Sequence, residues 1–429
     1  MSRSYISVVI NRLTRPTLLS ALSILLLQIP VLPVFLHAME SPLLHSTFAG
    51  QTDFDEVRAL AIGPDGRIFA VSSTRNIVFP ISSEDFNILV NAYDPTFQDA
   101  VPMMIFGGTR RDEVYAAAFG DDGDLYVCGT TLSPDLPVTP GCHDGTFGGE
   151  EDVFVAKIST DPLHVEAVTY LGSTGVDRGH SIAIGSGGDI YVSGSTTSAT
   201  FPTTEGAYDR TYNGTDHTCG GDLFIARLSP DLSTLKSSTL LGGSGLEACD
   251  HSGKIVISEN GDVFVAGMTA SADFPTTPGA FDQSFNGGMI DIFISRMDPG
   301  LTTLVASTLY GGSSDEMVYG FVKGVSNDLF FSAHVMSTDL PVSIGAVDTG
   351  PKDDYIARLD DDLTTMLSAT YLGAYPPYSM SRVMSMLPGG DIVTAGQHDS
   401  PVYPVTPGSF DESFNGEVDA FLTRLDPDL

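Results

Sequence analysis

One short segment of this chain recurs along its whole length, and that recurrence restricts the fold more than any other feature. Gly188-Asp189-Ile190-Tyr191-Val192-Ser193-Gly194 returns as Gly261-Asp262-Val263-Phe264-Val265-Ala266-Gly267 and as Gly123-Asp124-Leu125-Tyr126-Val127-Cys128-Gly129. Looser copies start at Gly66-Arg67-Ile68, Asn327-Asp328-Leu329 and Gly390-Asp391-Ile392. Starts at 66, 123, 188, 261, 327 and 390 are 57, 65, 73, 66 and 63 residues apart, an interval that holds one supersecondary unit.

Each unit carries four short β-prone runs, here called A to D. In the third copy they span residues 181–185, 189–194, 222–228 and 236–241, rich in Ile, Val, Phe, Tyr, Thr and Leu and bounded by turn formers. The A to B link is Gly-rich (Asp121-Asp122-Gly123, Glu259-Asn260-Gly261), as a tight hairpin that needs positive φ requires. The C to D link places Pro at the second turn position (Ser229-Pro230-Asp231-Leu232, Asp298-Pro299-Gly300-Leu301). Four antiparallel strands repeated with no amphipathic helix between them predict an all-β propeller of about six blades, with seven as the alternative. The sixth copy has no run after its C to D turn, whereas Leu43-Leu44-His45-Ser46-Thr47-Phe48-Ala49-Gly50 repeats the pattern of Leu235 to Gly242. The expectation is a ring closed by the N-terminal strand, which completes the last blade and hides a sheet edge. Antiparallel order puts the tight turns on one face and the long B to C loops on the other, where binding is expected.

Residues 1–38 read differently. Arg3, Arg12 and Arg15 precede an uncharged apolar run from Leu18 to Leu36, the pattern of an export signal or, if uncleaved, an N-terminal anchor. No later segment is apolar enough to span a bilayer, so residues 39–429 are expected as a single propeller domain, secreted or on the cell surface. Asp and Glu total 54 against 20 Lys and Arg, a formal net charge of -34, which repels phosphate backbones and excludes nucleic acid as a partner.

The B to C loop carries a family likeness. Phe274-Pro275-Thr276-Thr277-Pro278-Gly279-Ala280-Phe281-Asp282-Gln283-Ser284-Phe285-Asn286-Gly287-Gly288, with Asp291-Ile292-Phe293-Ile294-Ser295-Arg296 and Ser307-Thr308-Leu309-Tyr310-Gly311-Gly312 after it, resembles the SBBP β-propeller repeat. The third copy (Phe201 to Asp209, Tyr212-Asn213-Gly214) and the sixth (Tyr403 to Asp411, Phe414-Asn415-Gly416) match it well; the first and fifth are degenerate. The resemblance implies a propeller of exported and cell-surface proteins; the family's name implies seven blades, against the six copies counted here.

Candidate chemistry is sparse. Asp152, Asp222, Asp291, Asp353 and Asp419 each precede by five residues a Lys or Arg at the start of strand C, with Asn87 in that place in the first copy. Such carboxylates are candidate calcium ligands or, structurally, acceptors for the backbone of the preceding loop. Cys219 and Cys249 flank strands C and D of the third unit and are expected to form a disulfide; Cys128 and Cys142 are either a second bridge or free thiols. The histidines show no close ligand pair, and no nucleophile elbow, P-loop or EF-hand loop occurs. The reading that follows is a non-enzymatic binding, adhesion or structural module for an extracellular protein or glycan. Its alternative is a carbohydrate-active hydrolase or lyase with two perturbed carboxylates on the loop face.

Overall fold

The computed structural model describes residues 55–74, 86–96, 100–214, 220–247, 253–373, 379–409 and 411–429. The segment 1–38 and the expected closing strand 43–50 lie outside the described residues. The first blade is β1 (Asp55–Ile62), β2 (Ile68–Thr74), β3 (Asn87–Tyr93) and β4 (Ala100–Phe106); the second is β5 (Asp112–Phe119), β6 (Leu125–Thr131), β7 (Asp152–Thr160) and β8 (Leu163–Leu171). The third is β9 (Asp177–Ile184), β10 (Ile190–Thr196), β11 (Asp222–Leu228) and β12 (Leu235–Leu241); the fourth is β13 (Lys254–Ile257), β14 (Val263–Thr269), β15 (Asp291–Met297) and β16 (Leu304–Tyr310). The fifth is β17 (Glu316–Lys323), β18 (Leu329–Val335), β19 (Asp354–Leu359) and β20 (Met366–Leu372), and the sixth is β21 (Ser379–Met386), β22 (Ile392–His398) and β23 (Asp419–Leu425). Each blade is one antiparallel sheet in sequence order. The fold is a six-bladed β-propeller, and the first strands of successive blades are neighbours from β1 through β5, β9, β13 and β17 to β21.

Blade-on-blade packing explains the recurring motif. Strand B is covered on both faces, so β6, β10, β14 and β18 are buried from end to end and read as continuous apolar runs rather than alternating ones. The glycine that closes the motif has a separate cause. Strand A shifts register opposite it, and a Cβ on Gly194 would overlap the Arg178 carbonyl oxygen, so only glycine fits beside that bulge.

The B to C loops do not stay on the face where antiparallel order alone would leave them. They run along the outer edge of strand D: Thr204 and Thr277 donate backbone N–H groups to Ser238 and Ser307 (3.0 Å each), while Leu240 and Leu309 donate to Asp209 and Asp282 (3.0 and 2.9 Å). Each loop then reaches the C to D turn of the next blade, where His143, Tyr208 and Phe281 donate to the carbonyls of Leu232, Leu301 and Leu363 (2.8, 2.9 and 2.8 Å). Those leucines sit at φ of 56, 57 and 58°. This left-handed geometry disfavours a branched residue by about 1 kcal/mol, and their fully buried side chains together with the cross-blade bonds offset it. In the second to fifth blades the loops therefore form an outer rim and hide the edge of the sheet.

The sixth blade follows the same plan without a fourth strand among the described residues. Leu422 of β23 is 76 % exposed, whereas Ile294, its counterpart in β15, is 0 % exposed.

Candidate functional site

The strand-C acids lie beneath the loops, at the ends of the blades, and the structure gives them a structural task. Asp152 accepts a hydrogen bond from Gly148 N–H (2.6 Å), Asp222 from Asn213 N–H (2.9 Å), Asp291 from Asn286 N–H (2.8 Å) and Asp419 from Asn415 N–H (2.6 Å). Asp353 holds the equivalent place, its carbonyl paired with Val335 N–H at 2.8 Å, and is buried. The basic residues five positions on serve the other end of the blade. Arg227 and Arg296 pair with Asp189 and Asp262 of strand B (Nε to Oδ2, 2.8 Å each) and donate to the carbonyls of Pro299 and Asp361 in the following blade.

In three of these acids only one oxygen is used: Oδ1 of Asp152, Asp222 and Asp291 is buried without a hydrogen-bond partner. Facing it is a second acid from the start of the next blade: Asp177 at the head of β9 opposite Asp152, Glu247 in the segment before β13 opposite Asp222, and Glu316 at the head of β17 opposite Asp291. The backbone joins each pair, as Asp177, Glu247 and Glu316 donate N–H bonds to the carbonyls of Glu151, Gly221 and Ile290 (2.8, 2.7 and 3.1 Å). Hydroxyls at the end of strand B hold the second acid: Thr196 and Ser198 donate to Asp177 (2.5 and 2.9 Å), and Thr269 (2.8 Å) and Ser271 to Glu247. The signal was present in the sequence. Asp112, Asp177, Glu247 and Glu316 each stand five residues after the glycine that ends strand D, at 107, 172, 242 and 311.

Burial raises these carboxyls. Asp152 is pushed up to about 7, Asp177, Asp222 and Asp291 to about 6, and Glu247 and Glu316 to about 7. Desolvation is the leading cause in every case and outweighs the hydrogen bonds that favour the charged form. All six residues are closed off from solvent, so these perturbed acids are not presented to a substrate on the loop rim.

The remaining candidates separate. Cys128 and Cys142 are free thiols rather than a bridge. Cys128 is fully buried among Val153, Val155 and Ile182, where burial lifts its thiol to about 12, while Cys142 lies in the loop turn that its N–H closes onto Thr139. Cys219 and Cys249 lie outside the described residues. Among the described residues no three His, Cys, Asp or Glu side chains converge on one point.

A cavity of about 670 Å³ opens in the sixth blade, lined by His398, Tyr403, Phe414, Asn415, Phe421 and Arg424. His398, Tyr403 and Phe421 stack there, Tyr403 and Phe421 with ring centroids 4.4 Å apart. The space lies between strand C and its loop, which strand D fills in the complete blades.

No family model matches the chain. A curated relative, the regulatory protein FlaEY of Caulobacter vibrioides, is 26 % identical over 337 residues, covering 74 % of this chain and 33 % of that protein. The chain thus spans about a third of that relative's length. Similar solved structures include a protein of unknown function from Dyadobacter fermentans (12 % identity, 82 % of this chain and 92 % of that one, TM-score 0.43). Others are a gluconolactonase from Xanthomonas campestris (11 %, 81 % and 84 %, TM-score 0.36) and a leech intramolecular trans-sialidase (8 %, 88 % and 70 %, TM-score 0.38).

Proposed function

We propose that this chain is an exported β-propeller of the SBBP repeat type that works as a non-enzymatic binding or adhesion module for an extracellular protein or glycan. The observation that carries this reading is the chemistry of the rim. The B to C loops of the fifth and sixth blades hold large apolar side chains out in solvent: Ile344 and Val347 in one, Val402 and Val405 in the other. In the well-formed fourth loop the places of Ile344 and Val347 belong to Pro278 and Phe281, and Phe281 packs onto the core. Exposed apolar side chains that the blade does not use suit a contact surface. The sealed position of the perturbed acids supports binding over hydrolysis. Export rests on the character of residues 1–38, and the likeness to a regulatory protein favours a protein partner over a glycan.

The test is direct binding of the purified chain to panels of envelope polysaccharides and surface proteins. An Ile344→Asp/Val405→Asp double variant is expected to lose at least about tenfold in affinity while melting as the parent does. Turnover of a glycan or peptide, abolished by a single loop substitution, would overturn the reading.

A further inference from the structure

The junction between the third and fourth blades holds two acids that no Lys or Arg side chain neutralises. Asp222 and Glu247 are each 0 % exposed and come from adjacent blades. Oδ2 of Asp222 accepts the Asn213 N–H, and Oε1 of Glu247 accepts the hydroxyls of Thr269 and Ser271. Oδ1 of Asp222 and Oε2 of Glu247 are left with no hydrogen-bond partner; the N–H groups of Gly214 and Gly243 favour the charged form of the two carboxyls but bring no positive charge. Both orphan oxygens lie 2.8 Å from the point a Cβ on Gly242 would occupy, so they face the same small space. The charges that act on the pair are themselves carboxylates, Asp209 on Asp222 and Asp222 on Glu247, with no Lys or Arg among them.

Like charges at close range in a water-poor site repel strongly unless a positive charge stands between them. Donors on Oδ2 and Oε1 favour the ionised form of each group, and what the orphan oxygens then lack is a cation. A hard divalent ion suits an all-oxygen environment. We propose that Asp222 and Glu247 are the anionic ligands of a calcium-class divalent cation that joins the third blade to the fourth, its other ligands being backbone carbonyls and water.

The repeat does not build this arrangement at every junction: at Asp291–Glu316, Oδ1 and Oε1 are also unpaired, but the three atoms nearest a Cβ on Gly311 all belong to Asp291, so no shared space is formed over that glycine. At the Asp152–Asp177 junction, Oδ2 of Asp177 accepts both Ser173 N–H (2.7 Å) and Ser198 Oγ–H (2.9 Å), which leaves a single orphan oxygen. At the first junction Asn87 replaces the acid, and an amide brings its own donor.

The experiment uses the purified full chain, stripped with a chelator and melted with and without calcium at fixed pH and ionic strength. Calcium at about a hundred times its dissociation constant is expected to raise the midpoint by roughly 3–5 °C, with Glu247→Gln losing that rise. Because Glu247→Gln disturbs a buried pair and can fail to fold, terbium diffused into crystals of the parent supplies a second readout, with an anomalous peak expected between Asp222 and Glu247. Identical melting with and without calcium would overturn the proposal. So would a midpoint that follows pH alone, which is the signature of a shared proton. Loss of the calcium response in Glu316→Gln but not in Glu247→Gln would move the ion to the next junction and overturn the assignment.

Discussion

The first and third blade junctions are built alike and charged differently. In both, the second acid donates its N–H to the residue before strand C: Asp112 to Phe86 at 2.8 Å and Glu247 to Gly221 at 2.7 Å. In both, strand-B hydroxyls hold the second acid, Thr131 (2.5 Å) and Ser133 (3.2 Å) for Asp112 and Thr269 and Ser271 for Glu247. Both pairs close over the glycine that ends strand D, Gly107 and Gly242. The difference is one functional group, the Asn87 amide in place of the Asp222 carboxylate. The scaffold is therefore a backbone and hydroxyl device that accepts either group, and charge is an added feature of particular junctions.

The shared scaffold predicts the largest effect. A Cβ on Gly242 would sit 2.8 Å from two carboxylate oxygens, and one on Gly107, at φ +155°, would strike Asn87 and Asp112. Gly242→Ala and Gly107→Ala are each expected to cost about 3 kcal/mol or more in denaturant unfolding. A neutral outcome at one junction alone would break the likeness.

Charge predicts the next effect. Burial raises Asp112 from 3.8 to about 6, so the folded state holds that proton more tightly than the unfolded chain. Its stabilising contribution is full below about pH 4 and is lost as the pH rises through about 6, up to about 3 kcal/mol in all. Unfolding measured from pH 4 to 7 should fall less steeply in Asp112→Asn, and an unchanged slope would remove the first junction from the pH response. Asn87→Asp converts the first junction into an acid pair. It should cost about 2 kcal/mol in chelator above pH 7, and recovery of that loss on adding calcium would show that two facing acids suffice to recruit the ion. Last, Thr131→Val and Thr269→Val each remove one buried hydroxyl donor and should cost about 1–2 kcal/mol alike in thermal melts; unequal losses would mean that the charged junction leans on its hydroxyls more.

Much of this architecture was legible in the chain. The Gly-Asp-apolar motif announced strand B because a strand covered on both faces must be apolar throughout. The Pro-Asp-Leu turns announced the C to D hairpins because proline pre-sets their backbone. The site was half legible. The strand-C acids were visible through their spacing from Lys157, Arg227 and Arg296, but their partners come from the following blade. A residue that meets another only across a blade junction leaves no local pattern, and the five-residue interval after the strand-D glycine acquires meaning once that glycine is seen to lie beneath two carboxylates.

The sequence by itself determined the repeat and the strand order, because these follow from local turn chemistry and the run length of apolar residues, while the choice of six blades over seven came from the structure. Tertiary structure decided where the loops go and what the acids face. The loops leave the disc face and lie along strand D because an edge of unpaired backbone groups finds its partners there. Asp222 and Glu247 become a pair because two blades pack at a distance that no single repeat encodes.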